Sequence, residues 1–391
     1  MPLNRSRALW SRVMRCDSSP STAPSSIAMR SPKGPRDART KRSRHCAVTI
    51  IVIKPGLLST VQDLGRFGWQ HVGIVPSGAM DTDAHRLANL LVGNGGAEAT
   101  IEITLRGPEL EFEYPTLIAM CGATFDAKCV DAKGKIFPMP LNRPVLVPKT
   151  ARLRIGDVRH GARAYIAVAG GIPLPLVLGS RSTYLPARFG GHLGRALRTS
   201  DRLPLDRASI PLSNARFASL RRRRGTPIDP RAIESVAWSV PIDSLPHADE
   251  APIRFIEGRH WRLFSAAAQT ALENEPMRIA PESNRIGYRL HGPRLERRKD
   301  VDVLSEPTCL GTIQVPSDGM PIVLMADHQT TGGYAKIGEV ASVEIPRLAQ
   351  RPPGMAVRFL RCSLADAQAA RKARQARFAQ LVQTIAWEFI K

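Results

Sequence analysis

The densest group of chemically capable side chains in the sequence follows an apolar run. Pro321–Ala326 is typical of a buried strand, and it leads directly into Asp327–Tyr334, which reads Asp-His-Gln-Thr-Thr-Gly-Gly-Tyr. Buried polar groups need hydrogen-bond partners, so this segment predicts a satisfied network, a functional site, or both. Asp327 and His328 are the candidate catalytic pair, although neighbouring strand residues face opposite sides unless a bulge intervenes. The candidate substrate contacts in this segment are Gln329, Thr330 and Thr331.

A second polar cluster spans Ser283–Arg289 and interrupts an otherwise apolar pattern. Asn284, Arg285 and Tyr288 supply an amide, a planar cation and a hydroxyl, which suit an amide or carboxylate substrate, although a simple turn accounts for the same residues. Gln314 lies on a predicted strand and is a further candidate. We expect one cavity of the second half to be lined by Asp327, His328, Gln329, Asn284, Arg285 and Gln314.

A third cluster lies in the Gly-rich stretch near residue 63. Asp63 and Arg66 either pair with each other and fix a loop, or present a carboxylate and a guanidinium to a ligand. Ser77, which precedes a predicted helix, either helps to cap that helix or offers backbone N–H groups to an anion. These three residues are candidate substrate contacts.

Several well-known motifs do not occur in this sequence. We find no phosphate loop, no dinucleotide fingerprint, no zinc-protease or nucleophile-elbow motif, and no Met-Lys-Met segment for biotin attachment. The six cysteines form no Cys-x-x-Cys pair, so no metal site is predicted.

The composition is that of a globular protein, with 43% hydrophobic and 23% charged residues. The net charge of +22 is concentrated in part in residues 1–46, where eleven basic residues face two acidic ones. We interpret this tail as disordered, or as sequence upstream of a misassigned start, and leave it out of the fold. The body mixes both signs without an aromatic-plus-basic motif, so no specific nucleic-acid binding is predicted. No apolar run approaches the ~18 residues of a membrane span.

Short strands separated by Gly and Pro turns dominate the first half, which predicts a barrel or sandwich. One helix is expected at Thr82–Val92, because Ala84, Leu87, Ala88 and Leu91 form an apolar face after a possible Asp81 N-cap. The predicted strands are Val48–Ile53, Thr100–Leu105, Glu109–Glu113, Thr116–Cys121, Val145–Val147, Arg152–Ile155 and Ala164–Val168.

The second half repeats this order, with a helix expected at Trp261–Leu272. Its predicted strands are Ile253–Ile256, Met277–Ala280, Val301–Leu304, Thr312–Val315, Ile322–Ala326 and Val340–Ile345. Gly107–Glu111 and Gly292–Glu296 share four of five residues, which supports two related β-rich domains. A final helix begins after Ser363, which with Asp366 resembles a capping box, and its apolar stripe is Phe378, Leu381, Val382, Ile385 and Phe389.

The predicted domain organisation follows from these elements. A first domain covers residues 47–205 and a second covers 251–350, separated by a Pro- and Arg-rich linker at 206–250. Residues 351–391 form a C-terminal extension with a helix.

Taken together, the motifs resemble the biotin-dependent carboxyltransferase-like family. This family includes allophanate hydrolase subunit 2-type proteins, KipA proteins and the C-type subunits of prokaryotic 5-oxoprolinases. The resemblance is carried by Pro55–Arg66, Ser77–Asp81, Arg86–Asn94, Gly179–Thr183, Ser283–Leu290, Gly311–Pro316 and Ala326–Tyr334. It implies a mainly β fold with a few helices, made of two cyclophilin-like β-barrel domains joined by a linker.

The resemblance also implies a cytoplasmic protein that is one component of an enzyme. In the 5-oxoprolinase members, the implied reaction is ATP-dependent opening of 5-oxo-L-proline to L-glutamate, with a KipI-like B-type subunit and a LamB/YcsF-like A-type subunit as partners. ATP is expected to bind together with one of these partners. Two alternatives remain: a carboxyltransferase that acts on urea or a similar small amide with carboxybiotin, and a KipA-like regulator that binds a kinase inhibitor. The segment Glu257–Trp261 departs from the family pattern, which puts any role of that loop in doubt.

Overall fold

The computed structural model describes residues 48–206, 209–221, 232–241, 251–298 and 302–390. The tail at residues 1–46 lies outside these described residues. The strands are β1 Val48–Lys54, β2 Leu58–Gln62, β3 Thr100–Thr104, β4 Glu109–Phe112, β5 Thr116–Val130, β6 Ile136–Pro138, β7 Pro144–Val147, β8 Arg152–Val168, β9 Arg202–Leu205, β10 Glu234–Ser235, β11 Ile253–Glu257, β12 Met277–Ile279, β13 Gly287–His291, β14 Glu306–Pro307, β15 Thr312–Val315, β16 Ile322–Leu324, β17 Thr331–Gly332, β18 Ala335–Val340, β19 Ala356–Val357 and β20 Phe359–Arg361. The helices are α1 Thr82–Leu91, α2 Ser209–Arg221, α3 Ala266–Asn274, α4 Ile345–Ala349 and α5 Leu364–Ile390, with 3-10 turns at Gln70–Val72 and Trp261–Leu263.

The first sheet curls into a nearly closed barrel around an apolar core. Its main path runs β10-β7-β5-β8-β4-β1-β9, with β3 also on β8, β2 on β3 and β6 on β5. Successive side chains of a strand point to opposite faces of the sheet, so alternate residues such as Ile101 and Ile103 point into the core, where both are fully buried. The two predicted strands at Arg152–Ile155 and Ala164–Val168 are parts of the single long strand β8.

Helix α1 packs against β5 and β8 and confirms the predicted helix. It begins at the Asp81 N-cap, whose side chain accepts hydrogen bonds from Asp83 N at 3.1 Å and Ala84 N at 3.0 Å. Leu87 and Leu91 are fully buried on its apolar face. The cap fixes the preceding loop, which contains Ser77.

The second sheet surrounds a separate core and has the order β19-β12-β13-β16-β15-β18-β11-β20. Met80, from the loop before α1, packs into this second core, so the two halves share apolar contacts. The pairing of β15 with β18 contains a bulge: Ile313 faces Gly338, whereas Gln314 faces Lys336. A bulge re-aims side chains, and this one places Lys336 directly opposite Gln314. The short strands β14 and β17 form a separate ribbon.

Three predicted elements of the second half are wrong. The expected helix at Trp261–Leu272 is broken, because Ser265 N-caps α3 and accepts a hydrogen bond from Ala268 N at 3.1 Å. Within the predicted strand Val301–Leu304, the described residues 302–304 are not in a strand. The predicted strand Val340–Ile345 is instead the end of β18, a turn and the start of α4.

The C-terminal helix is confirmed, including its cap. Ser363 Oγ accepts from Asp366 N at 3.1 Å, and Asp366 Oδ2 accepts from Ser363 N at 3.2 Å, which is the reciprocal pattern of a capping box. Ile385 is the most buried member of the apolar stripe, with 3% of its surface exposed. Arg374 ties this helix to α1 through an ion pair with Asp83.

Parts of the predicted linker are regular structure, since it contains α2 and β10, which pairs with β7. The domain boundaries themselves remain a prediction. The second copy of the sequence echo, Gly292–Glu296, is an irregular segment, whereas Glu109–Phe112 is a strand, although Leu110 and Leu295 are both core residues. The mainly β fold with a few helices is confirmed. None of the helices that the structure describes is long and apolar enough to cross a membrane.

Candidate functional site

Four buried polar side chains connect the two sheets, and we call them the inter-sheet cluster: Ser77, Glu102, Arg285 and Asp327. Arg285 donates from Nε to Asp327 Oδ2 at 2.9 Å and from Nη2 to Oδ1 at 3.0 Å. Its Nη1 donates to Glu102, which lies on β3 of the first sheet. Ser77 Oγ donates to Asp327 Oδ1 at 2.6 Å, from a loop 250 residues earlier in the chain. The cluster therefore joins both halves of the molecule.

The charges in this cluster compensate one another. Burial alone would lower the pKa of the Arg285 guanidinium, but the carboxylates of Asp327 and Glu102 outweigh burial and raise it. Burial alone would raise the pKa of Glu102, but Arg285, Arg163 and the hydrogen bonds from Met80 N and Tyr165 together outweigh burial and lower it. Both oxygens of Asp327 already accept hydrogen bonds, and its side chain is 1% exposed. These are the surroundings of a carboxylate that holds other groups in position.

Asp63 organises the loop that covers the start of the first sheet. Its carboxylate accepts hydrogen bonds from four donors in two short segments. Burial alone would raise the pKa of Asp63, but these hydrogen bonds outweigh burial, so the pKa lies below its usual range. The donors are Ser180 Oγ at 2.6 Å, Ser182 Oγ at 2.5 Å, Gly65 N at 2.8 Å and Arg181 N at 2.5 Å. One interpretation of the sequence was that Asp63 pairs with Arg66 and fixes a loop. Asp63 does fix a loop, but its hydrogen-bond partners are serines and backbone groups.

Arg66 is fully buried beside this loop. Its Nη2 donates to Ser182 O, and its guanidinium lies over the ring of Phe189 at 4.8 Å. Nε and Nη1 have no hydrogen-bond partner within the described ranges. Buried donors without partners are rare in native proteins, so Arg66 stays a candidate contact for a ligand.

A second group of polar residues lies where β15 and β18 of the second sheet meet the β14–β17 ribbon and the segment before β17, and we call it the second-sheet cluster: Glu306, Gln314, His328, Gln329 and Lys336. Gln329 Nε2 donates to Gln314 Oε1 at 3.1 Å, which fixes the orientation of the Gln314 amide. Gln314 is 1% exposed, and its Nε2 has no partner among the residues described. An amide donor in this state offers a hydrogen bond to a ligand atom.

Lys336 lies directly across the strand pair from Gln314 and is 5% exposed. Its Nζ is 3.0 Å from Glu306 Oε1 and donates to the Pro307 carbonyl oxygen. The hydrogen bond from Lys336 lowers the pKa of Glu306. Sequence reasoning missed both residues: β18 was placed too late in the chain to include Lys336, and the short strand that carries Glu306 was not predicted. A lysine inside an apolar strand is the signal that would have identified Lys336.

His328 belongs to the second-sheet cluster, whereas its neighbour Asp327 faces the first sheet. His328 Nδ1 is 2.6 Å from Gln329 O, and a carbonyl can only accept, so Nδ1 carries the proton and Nε2 keeps the lone pair. Burial lowers the pKa of His328, which favours the neutral ring. The two candidate catalytic residues thus do not meet at one point.

The remaining predicted residues lie apart from these clusters. Asn284 is exposed in a turn, where its Oδ1 accepts from Ile286 N at 2.8 Å. The Tyr288 hydroxyl accepts from Arg163 and faces α4. Thr330 is half-buried and Thr331 is exposed beside the β14–β17 ribbon. The six residues therefore do not form one hydrogen-bonded group: Arg285 and Asp327 lie in one cluster, Gln314, His328 and Gln329 in another, and Asn284 in neither. That they line a single cavity stays a prediction.

Glu102 is a further residue that sequence reasoning missed. It interrupts an apolar strand, and alternation places it on the face opposite Ile101 and Ile103. Its Oε2 accepts from Tyr165 OH at 2.8 Å and from Met80 N at 2.9 Å. An acidic residue in a buried strand needs such partners and could have been flagged for that reason. Within the described ranges, no group of three or more His, Cys, Asp or Glu side chains is arranged to hold a metal ion.

Comparison with known proteins defines the class. The family described as the carboxyltransferase domain, subdomain A and B, matches residues 72–361, and the chain belongs to this family. It is 37% identical over 333 residues to the C-type 5-oxoprolinase subunit of Escherichia coli K12, an alignment that covers 84% of this chain and 96% of that protein. It is 33% identical over 320 residues to the protein of the same name from Haemophilus influenzae, which covers 80% and 91%. Relatives with these names are subunits of an enzyme.

Among solved structures, the fold matches the urea amidolyase of Kluyveromyces lactis with a TM-score of 0.74 and 28% sequence identity. The match covers 87% of this chain and 20% of that one. The family expected from the sequence motifs is therefore confirmed.

Proposed function

We propose that this chain is the C-type subunit of a 5-oxoprolinase, which opens 5-oxo-L-proline to L-glutamate in an ATP-dependent reaction. The observation that carries the proposal is the extent of similarity: the alignment spans 96% of the Escherichia coli protein. In contrast, the chain corresponds to 20% of the K. lactis urea amidolyase chain. The identity is also higher for the Escherichia coli protein, at 37%, than for the K. lactis urea amidolyase, at 28%.

A heteromeric enzyme follows from the name of these relatives, which describes one subunit among several. The proposed partners are a KipI-like B-type subunit and a LamB/YcsF-like A-type subunit, as the family resemblance implies. ATP supplies a phosphoryl group that activates the poorly electrophilic lactam carbonyl. The sequence has no phosphate loop, so we propose that ATP binds together with one of these partners.

We propose that the substrate meets this chain at the second-sheet cluster. His328 presents an unprotonated Nε2 and is the proposed general base, since its Nδ1 proton is held by a backbone carbonyl. The proposed role of Asp327 is to position the segment that carries His328, because its carboxylate is already fully hydrogen-bonded. Gln329, Thr330 and Thr331 follow in the same segment and remain proposed substrate contacts.

Reconstitution tests this proposal. The chain is mixed with its KipI-like and LamB/YcsF-type partners, 5-oxoproline and ATP, and glutamate and ADP are measured. Turnover that needs all components, and that falls by a factor of roughly 10² to 10⁴ in His328→Gln, is the expected result. The matched control is Asp126→Asn, an exposed surface residue, which should retain full activity. Absence of turnover with folded, assembled subunits would refute the proposal.

The structural match to urea amidolyase favours one alternative, a carboxyltransferase that uses carboxybiotin and urea. Because the given sequence has no Met-Lys-Met segment, a biotin-carrying segment outside it would supply the carboxyl group. Consumption of carboxybiotin in the presence of urea, without cleavage of 5-oxoproline, would decide for this alternative.

A further inference from the structure

A short two-stranded ribbon covers the most polar part of the second sheet. Glu306 and Pro307 of β14 pair with Thr331 and Gly332 of β17. From one strand, Glu306 and Pro307 contact Lys336 Nζ. On the other strand, Gly332 packs against Gln314, and a Cβ on this glycine would lie 2.7 Å from Gln314 Nε2. The ribbon has only two residues in each strand, so few backbone hydrogen bonds join its strands.

Beneath the ribbon, two donors point toward the same region. Cross-strand partners have Cβ atoms about 5 Å apart, so the Lys336 ammonium and the Gln314 amide can reach one ligand group. The Gln314 amide nitrogen has no partner in the part of the chain that the structure describes. Leaving such a donor buried is costly, and a ligand oxygen would remove that cost.

Lys336 is not the sole cationic partner of the carboxylate that it contacts. Glu306 is shared between two cations, because its Oε2 lies 3.2 Å from Arg259 Nη1 while its Oε1 pairs with Lys336. His260 accepts a hydrogen bond from Lys336 N at its Nδ1, and burial lowers its pKa, so its ring is neutral. Burial raises the pKa of the Glu339 carboxyl, three residues along the strand, and the Lys336 ammonium lowers it. Glu306 therefore keeps Arg259 as a cationic partner if Lys336 turns to a ligand.

We propose that Lys336 and Gln314 form a carboxylate-binding site beneath the β14–β17 ribbon, which holds the carboxylate of the lactam substrate. This assignment rests on the proposed function, and it identifies what distinguishes 5-oxoproline from a neutral amide such as urea. Lys336 releases contacts to the ribbon and takes one carboxylate oxygen, while Gln314 Nε2 donates to the same group. A phosphoryl oxygen of ATP has similar chemistry and is distinguished by the test.

The test compares two ligands that differ only in the carboxylate: 5-oxoproline and 2-pyrrolidinone. The reconstituted complex is assayed with Lys336→Met, with Lys336→Arg to keep the charge, and with Gln314→Met. A charge-assisted hydrogen bond contributes about 1.5–3 kcal/mol, so Lys336→Met should raise the KM for 5-oxoproline roughly 10- to 150-fold. Lys336→Arg should retain part of the affinity, and the inhibition constant of 2-pyrrolidinone should not change.

Two outcomes would count against the carboxylate site. A rise in the KM for ATP alone would assign the site to a phosphoryl group and overturn the carboxylate. Equal weakening of both lactams, or no change, would show that Lys336 only supports the sheet. If Lys336→Met does not fold, Gln314→Met carries the same comparison. If the wild-type complex has no turnover, calorimetric titration with 5-oxoproline, 2-pyrrolidinone and inorganic phosphate still decides, because only a carboxylate site prefers the first ligand.

Discussion

Replacing Asp327 with asparagine should lower the free energy of unfolding far more than the same replacement of an exposed aspartate. The substitution keeps the shape of the side chain but removes the negative charge that Arg285 and Ser77 contact. Arg285 is 4% exposed and would keep only Glu102 as a charged partner. Glu102 also compensates the buried Arg163, so positive charge stays behind without a partner of its own. Breaking a buried ion pair in this way costs about 3–5 kcal/mol. This is a factor of roughly 10² to 10⁴ in the folding equilibrium.

Urea unfolding at constant pH measures this loss directly. The matched control is Asp126→Asn, whose partner Arg159 lies 3.5 Å away with both side chains more than half exposed. Exposed pairs of this kind contribute less than about 1 kcal/mol. The reasoning is refuted if Asp327→Asn and Asp126→Asn lower the free energy of unfolding equally. A double-mutant cycle with Arg285→Met should give a coupling energy of about 1–3 kcal/mol.

Two further predictions concern the loops and helix beside the inter-sheet cluster. Burial raises the pKa of Asp81 to about 7 from 3.8, so the folded protein holds a proton that the unfolded chain has released. The contribution of this proton to the free energy of unfolding should therefore be complete below pH about 4 and decline as the pH rises through 7. Urea unfolding measured at several pH values should show a smaller dependence of the free energy of unfolding on pH for Asp81→Asn. An unchanged dependence would contradict the prediction. Gly190→Ala should destabilise more than Gly179→Ala, because both have positive φ but a Cβ at Gly190 would lie 2.1 Å from Ser182 O, whereas nothing lies within 4 Å at Gly179. Thermal unfolding of the two variants compares them, with about 1 kcal/mol expected for Gly179→Ala, and equal losses would show that the loop adapts.

Local signals in the sequence predicted much of the secondary structure correctly. The helix at Thr82–Leu91 has its own cap and its own apolar stripe, and the C-terminal helix has a capping box, so neither depends on distant residues for its identification. The expected strand at Val340–Ile345 failed because apolar residues in a turn and a short helix have no distinct period. The helix that begins at Ser265 was placed too early because the preceding apolar residues belong to a 3-10 turn.

The candidate site was predicted in composition but not in arrangement. The polar segment that begins at Asp327 was recognisable because it follows a buried strand. That Asp327 pairs with Ser77, 250 residues away, could not be read from either segment. Lys336 was missed because its position opposite Gln314 depends on a bulge between two strands, and register is a property of the pair.

The sequence by itself determined the family, the β-rich character, the capped helices and the polar segments, because each depends on residue types at short spacing. Only the tertiary structure decided which polar groups meet. It joined Arg285 to Glu102 across the two sheets and separated Asp327 from His328, although these two are adjacent in the chain. The physical reason is that the chain turns after the strand Ile322–Leu324, where His328 N donates to Met325 O, so Asp327 and His328 meet different neighbours. Folding also brings distant carboxylates to a buried cation that needs them.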